Sequence, residues 1–294
     1  MQNAKEIKNR LSSIRDTKKI TGAMQLIASA KLQKAGRDLQ RTRPYFNAIR
    51  GEIKRIFRVD GKIISRYFYP PTGEHDLPGV YAYLVITADK GLAGAYNQKV
   101  LKTAEEQLMR HDENELFVVG EYGRHYFQSH NIPVSESFLY TAQNPTFQRA
   151  REICDILLEG YNSGKYAKIF VIFTDYVNGM RSDVRCERLL PFHRGDFMDH
   201  APEKEIKEPF EFSPSVEEVL ENIVPSYVAG YIYSALIDSY CSEQNARMTA
   251  MKAACDNADE LLGALQAQYN HMRQSEITRE ITEISAGTVA GREE

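Results

Sequence analysis

The stretch "RMTAMKAACDNADELLGALQAQYNHMRQ", residues 247–274, places Met248, Met251, Cys255, Ala258, Leu262, Leu265, Tyr269 and Met272 at alternating steps of three and four. Steps of that kind lay one apolar seam along a helix that packs against another helix. Counted backwards, the seam passes Gln244, Cys241 and Ile237. No proline interrupts residues 226–285, and 60 helical residues would run about 90 Å. A compact domain of the size of the chain's middle is only about 40 Å across. The helix is expected to open at Ser213 as cap with Pro214 in the first position, and Pro225 is expected to kink or restart it.

A seam of this length needs a partner, and the other end of the chain supplies one. Between Ala4 and Phe57 the only proline is Pro44 and the only glycines are Gly22, Gly36 and Gly51, so helix formers dominate. Ala4, Ile7, Leu11 and Ile14 begin a seam that Ala28, Leu32, Ala35 and Leu39 resume. Between them Lys18, Thr21 and Gln25 hold the seam positions while Ile20, Met24 and Ile27 step off it. The apolar stripe therefore rotates there, and a change of partner near residue 20 is expected. Residues 1–58 hold 15 Lys and Arg against 4 Asp and Glu, a balance of +11, whereas residues 214–294 hold 5 against 13, a balance of −8. Two long helices of opposite charge, each with a heptad stripe, predict an antiparallel coiled coil.

The middle of the chain changes period. "VYAYLVIT" (80–87), "ELFVVG" (115–120) and "KIFVIFTDYV" (168–177) are continuous apolar runs of strand length, separated by helical patterns at 95–110, 121–130 and 146–163. Alternating strands and helices predict βαβ units on a parallel sheet covered on both faces. "MRSDVRCERLLPF" (180–192) reads as a further strand at the sheet edge. The fold class is thus α/β: a Rossmann-like domain between the N- and C-terminal helices of a long antiparallel coiled coil. The expected division is 1–57 first helix, 58–79 linker, 80–192 α/β domain, 193–213 linker, 214–286 second helix and 287–294 tail.

At 43% hydrophobic and 26% charged, the composition is that of an ordinary globular chain. No apolar run is long enough for a transmembrane helix, and the charged N-terminus does not read as a secretory signal or transit peptide. Cys154, Cys186, Cys241 and Cys255 are spaced for neither zinc nor a disulfide framework and read as reduced, mostly buried thiols. The seven histidines are scattered, so no metal site is expected. "LVITADKGLAGAYNQK" has the strand–loop–helix order of a phosphate cradle, but it matches neither glycine-rich nucleotide fingerprint and is read as a βα turn needing glycine for positive φ. The basic first segment has no aromatic residues interleaved before Tyr45 and Phe46, and nucleic acid is not expected as a partner.

"AKEIKNRLSSIRDTKKITGAMQLIASAKLQKA", "TADKGLAGAYN" and "ARMTAMKAACDNADELLGALQAQYNHMRQSEITREITEISAGTVA" together resemble the gamma subunits of F-type ATP synthases of bacterial type. The two end signatures and the central loop stand in the family's order, and the likeness covers nearly the whole chain. The resemblance implies a central-stalk rotor without catalytic or cofactor sites of its own. Its implied partners are the alpha and beta subunits, epsilon and the membrane ring of c subunits, at the cytoplasmic face of a bacterial cell membrane and peripheral to it. Ion flow would turn the stalk, and the stalk would bias each catalytic site in turn.

By that resemblance Met24, Arg273, Gln274, Thr278, Glu280 and Glu283 fall where the rotor meets the catalytic ring, and Lys31, Lys34 and Arg37 face acidic loops of beta. Ile277, Ile281, Ile284 and Val289 are out of register with the seam by one residue, so they suit a bearing. Gly22 departs from the family, which often has a basic or hydroxyl residue there. Two other classes of function compete: a coiled-coil tether with a small-molecule sensor domain, and a nucleotide-dependent enzyme using the 87–97 loop.

Overall fold

The computed structural model describes residues 4–59, 65–69, 77–139, 141–179, 181–197, 213 and 215–290. In chain order the elements are α1 (Ala4–Val59), β1 (Val80–Ile86), α2 (Tyr96–Leu108), β2 (Asn114–Val119), α3 (Glu121–Ser129), β3 (Glu136–Phe138), α4 (Phe147–Asn162), β4 (Tyr166–Asn178), β5 (Arg181–Leu190) and α5 (Val216–Ala290), with a 3-10 turn at Arg194–Phe197 before α5. The contacts divide the chain into two units, 1–29 with 247–294, and 30–246. The division falls inside both long helices, so the inner parts of α1 and α5 belong with the sheet.

In the larger unit the strand order is β3-β2-β1-β4-β5. The pairs β1·β2, β1·β4 and β2·β3 are parallel, and β4·β5 is antiparallel. Both faces are dry, which is why the strands read as unbroken apolar runs. Ala82, Leu84, Ile86, Phe117, Val119, Ile169 and Val171 join a core with α4 and the inner parts of α1 and α5. Tyr83, Val85, Leu116, Val118 and Ile172 face Val100, Leu101 and Ala104 of α2 and Phe127 of α3. The edge strand is as expected in place, but it makes the sheet mixed: β5 follows β4 through a hairpin and so must run antiparallel to it. β3 was not expected. Its three residues, Glu-Ser-Phe, carry no apolar run, and it is recruited by pairing with β2 at the edge.

The segment read as a linker before β1 holds part of the core. Tyr67, Phe68 and Tyr69 are buried, the Tyr69 N–H donates to Phe192 O at 3.0 Å and the Phe192 N–H to Tyr67 O at 2.8 Å. Helix α5 is capped two residues later than the Ser213–Pro214 expectation, and Pro214 itself lies outside the described residues. Ser215 Oγ accepts from Glu218 N–H at 3.2 Å, the first half of a capping box in Ser215-Val216-Glu217-Glu218. Pro225 does not restart the helix; α5 is assigned as helix through it, and Cys154 Sγ lies 3.6 Å from the Pro225 carbonyl oxygen.

Close packing of the two inner helices depends on Gly230. A Cβ there would lie 2.1 Å from two ring carbons of Phe46, so only glycine lets α1 approach α5 at that level. Further along α5, small polar side chains dock the β4–β5 hairpin. Ser239 Oγ accepts from Thr174 N–H at 3.2 Å, Ser242 Oγ donates to Thr174 O at 3.4 Å, and Asn245 Nδ2 donates to Gly179 O at 3.0 Å. All three side chains are buried, and this docking explains the polar run "SYCSEQN" inside an otherwise apolar helix face.

In the smaller unit α1 and α5 run antiparallel. Lys18 Nζ pairs with Asp259 at 2.5 Å, and Thr21 Oγ1 meets Cys255 Sγ at 3.1 Å. Ile7, Leu11, Ala28, Met251 and Ala258 are the buried seam, with Met248, Cys255, Leu262, Leu265, Tyr269 and Met272 half-buried along it. Near residue 20, where a change of partner is expected, Lys18 and Thr21 still touch α5. Lys18, Thr21 and Gln25 are half-buried, while Ile20 and Ile27 turn outward at 62% and 56% exposure. Lysine covers the seam with its methylene stem and carries its charge to Asp259, so a polar residue holds an apolar position.

Candidate functional site

The coiled coil presents three kinds of surface. The first is the seam, closed within the chain. The second is the outward apolar set of α1, Ile20, Leu26 and Ile27, all more than half exposed. The third is the end of α5. Stepping outward from the Lys18–Asp259 and Thr21–Cys255 contacts one residue at a time, Ala4 comes level with about residue 272. From there α5 continues without a facing turn of α1 among the described residues, and Arg273 to Thr282 are all exposed.

The expected contact residues sort onto these surfaces. Met24 is half-buried at the side of the seam, whereas Arg273, Gln274, Thr278 and Glu280 are exposed on the overhanging part of α5. Thr278 Oγ1 donates to Gln274 O at 2.8 Å, so that hydroxyl is turned back onto its own helix. Ile277, Ile281 and Ile284 are exposed by 43%, 59% and 68%, a rising apolar stripe at steps of four and three. The side chains of Glu283 and Val289 lie outside the described residues. Lys31, Lys34 and Arg37 are exposed on α1 in the larger unit, three residues apart in turn, whereas the residues of the coiled-coil end belong to the smaller unit.

The βα turn after β1 is held by its own side chains. Asn97 Oδ1 accepts from Ala88 N–H at 3.0 Å, and Ala88, Ala93 and Tyr96 are buried against Ala246 of α5. The left-handed positions are Leu92 (φ 61°) and Gly94 (φ 55°), so glycine serves the turn at 94, while the second such position falls to a leucine instead of Gly91. Asp89 Oδ1 accepts from Glu121 N–H at 3.0 Å, placing a carboxylate at the start of α3. That negative charge at the mouth of the loop disfavours a phosphate, and the turn is a fastening between sheet and α5. Among the described residues no three His, Cys, Asp or Glu side chains converge as metal ligands. No described helix is long and apolar enough to cross a membrane.

One polar constellation escaped the sequence reading. Tyr231 on α5 donates its hydroxyl to Glu187 Oε2 on β5, Arg185 reaches the other oxygen at 3.3 Å, and Arg185 also pairs with Asp175 of β4 at 2.7 Å. Burial, and then the bond to Glu187, push the Tyr231 hydroxyl far above the usual phenol range, so it stays a donor. The only signal in the sequence was alternating charge along "RSDVRCER", which also protects an edge strand from foreign pairing.

The family model described as ATP synthase matches residues 3–290. The ATP synthase gamma chain of Caldanaerobacter subterraneus subsp. tengcongensis is 40% identical over 291 residues, covering 96% of this chain and 98% of the relative. The ATP synthase gamma chain, sodium ion specific, of Acetobacterium woodii is 34% identical, covering 98% and 99%. Among solved structures, a chain of the Euglena gracilis mitochondrial ATP synthase (OSCP/F1/c-ring, rotational state 3) shares the fold at a TM-score of 0.68 and 18% identity, covering 98% of this chain and 94% of that one. With a family match over residues 3–290, relatives at 34% and 40% identity over nearly the whole chain and the helix–sheet–helix order in agreement, this chain belongs to the ATP synthase gamma-chain family.

Proposed function

We propose that the chain is the central-stalk rotor of an ATP synthase, a non-catalytic subunit that carries ion-driven rotation into a ring of alpha and beta subunits. The observation that carries this reading is the end of α5, where a helix leaves its partner and exposes Ile277, Ile281 and Ile284. Three isoleucines in water on a lone helix lose about 25 cal/mol for each Å² left uncovered, and a surrounding apolar sleeve removes that cost. Arg273, Gln274, Thr278, Glu280 and Glu283, with Met24 beside the seam, are the contacts that differ with rotor angle. Lys31, Lys34 and Arg37 meet acidic loops of beta. The foot of the rotor, in the α/β unit, engages epsilon and the c ring at the cytoplasmic face of the membrane. Coupling then needs no bond chemistry in this chain: contacts that favour different states of the ring at different angles shift each site's population.

The test is co-expression with alpha, beta and epsilon subunits, native mass spectrometry of the product, and observation of a bead fixed to this chain during ATP hydrolysis. One copy in an assembly with three alpha and three beta subunits, turning in steps, is expected. A hydrolysing alpha–beta assembly that excludes the chain, or holds it without rotation, would refute the proposal.

A further inference from the structure

Helix α5 is tied to the sheet by polar bonds at two levels. At the first, the Tyr231 hydroxyl donates to Glu187 of β5, and Arg185 joins the same carboxylate, at 3.3 Å, to Asp175 of β4, at 2.7 Å. At the second, Ser239 Oγ accepts from the Thr174 N–H, while Ser242 Oγ and Asn245 Nδ2 donate to the carbonyl oxygens of Thr174 and Gly179 in the β4–β5 hairpin. Ser239 and Ser242 are each 1% exposed and Thr174 is 4% exposed, so water does not compete for these bonds. From Tyr231 to Asn245 the contact runs about 21 Å along α5, and at about 3.6 residues per turn the four side chains fall within roughly a third of its circumference. Asn245 stands one residue before Ala246, the last residue of α5 in the larger unit.

These bonds differ in kind from the apolar packing around them. Ala35, Ile53 and Ile56 of α1 and Val228, Ile232 and Leu236 of α5 are held in the core by burial, which opposes separation but has no direction. A hydrogen bond needs its donor and acceptor close and in line. With side-chain atoms about 5 Å from the helix axis, a turn of about 10° moves them about 1 Å. That is enough to break bonds standing at 3.2 and 3.4 Å. Several such bonds on one helix face therefore fix the angle at which α5 is set against β4 and β5.

We propose that this polar seam is the joint through which torque passes from the α/β unit into α5, with Ser239 and Ser242 as positioning residues that hold the rotational setting of the helix. The inference rests on the rotor reading: a chain turned at its α/β unit has to hand the twist to a helix that an apolar socket alone would let slip. It also accounts for serine at two dry positions inside a helix, where alanine would favour the helix more.

The experiment holds the alpha–beta ring of the assembled complex on glass without ATP and records the angular fluctuation of a bead attached to α2 at the exposed Lys102. Ser239→Ala together with Ser242→Ala removes two of the four side chains that bond α5 to the strands, and is expected to widen the mean-square angle about twofold. Ion-driven ATP synthesis is expected to fall more than hydrolysis. Ile53→Val trims a fully buried apolar residue of α1, and is expected to lower the melting temperature but leave the fluctuation unchanged, which separates torque transfer from a merely structural role. Should the double variant fail to assemble, Tyr231→Phe, which keeps the ring and loses the hydroxyl, is read in its place. A parent complex whose bead never turns when ATP is added removes the rotor reading and this inference with it. A parent that turns, with serine or tyrosine variants as stiff as it or with equal widening by Ile53→Val, overturns this inference alone.

Discussion

Two glycines in the long helices are opposite cases at the level of single atoms. A Cβ at Gly22 would stand 4.0 Å from Cys255 Sγ, an ordinary contact, so Gly22→Ala should raise stability by about 0.5–1 kcal/mol through helix propensity alone. A Cβ at Gly230 would strike the Phe46 ring, and Gly230→Ala should cost more than about 1 kcal/mol, as overpacking does. Urea unfolding of both variants measures the two signs, and a loss of stability at Gly22 would show that the absent side chain there matters for something besides packing. Thiol chemistry follows burial in the same way. Burial pushes Cys154 and Cys241 up to about 12 and Cys186 up to about 11. At pH 8 in the folded chain, alkylation by iodoacetamide should therefore leave Cys154 and Cys241 unmodified until denaturant is added, with mass spectrometry reading the sites. At the coiled-coil end, replacing Arg273 and Gln274 together by Ala removes exposed side chains only. An intact complex is expected, with ion-driven ATP synthesis reduced much more than hydrolysis on the same membranes; equal rates to wild type would make these residues passive surface.

Among the elements, the coiled coil is tight at some levels and loose at others. Met251 is buried at 5% exposure, whereas Leu262 on the same seam is only half-buried. Met251→Ala should consequently cost about 2 kcal/mol or more, and Leu262→Ala distinctly less, since transfer and cavity costs both scale with burial. Leu262→Asp should still loosen the helix pair by bringing a charge to its edge. Hydrogen exchange on residues 4–29 and 247–272 reads the difference locally, and an equal response at both positions would mean that the seam is evenly packed. The sheet has its own pH-sensitive fastening. Burial opposes ionisation of Glu115, but hydrogen bonds from Lys165, Tyr166 and Ser135 outweigh it and hold the carboxyl below its usual value. A depressed carboxylate stabilises the fold above its unfolded pKa and loses that contribution as pH falls through the folded one. Glu115→Gln should thus be less stable than the parent at pH 7, with the gap closing below about pH 4.

For the molecule as a whole, the balance of charge is less consumed internally than the sequence suggests. Lys18–Asp259 joins the two helices, but both side chains are about half exposed, and such pairs contribute at most about 1 kcal/mol. Lys31, Lys34 and Arg37 remain exposed on α1. Raising the salt to about 1 M, where the Debye length is about 3 Å, should leave the melting temperature of the isolated chain nearly unchanged while weakening its association with an acidic partner.

Periodicity alone determined the long helices, the seam from Met248 to Met272, the apolar runs of β1, β2 and β4 and the edge position of β5, because a repeat of 3.5 or an unbroken apolar run states which sides of an element are dry. The Ser215 cap is equally legible, as a serine three residues before Glu218. Tertiary structure decided what covers each dry side. It kept Lys18 and Thr21 on the seam against α5 and left Ile20 and Ile27 in water, drew Tyr67–Tyr69 out of an apparent linker into the core, and recruited the short β3 by its neighbour. It also paired Tyr231 with Glu187 across 44 positions. Those outcomes depend on which distant surface arrives, and a local pattern carries no information about a contact whose other half lies elsewhere in the chain.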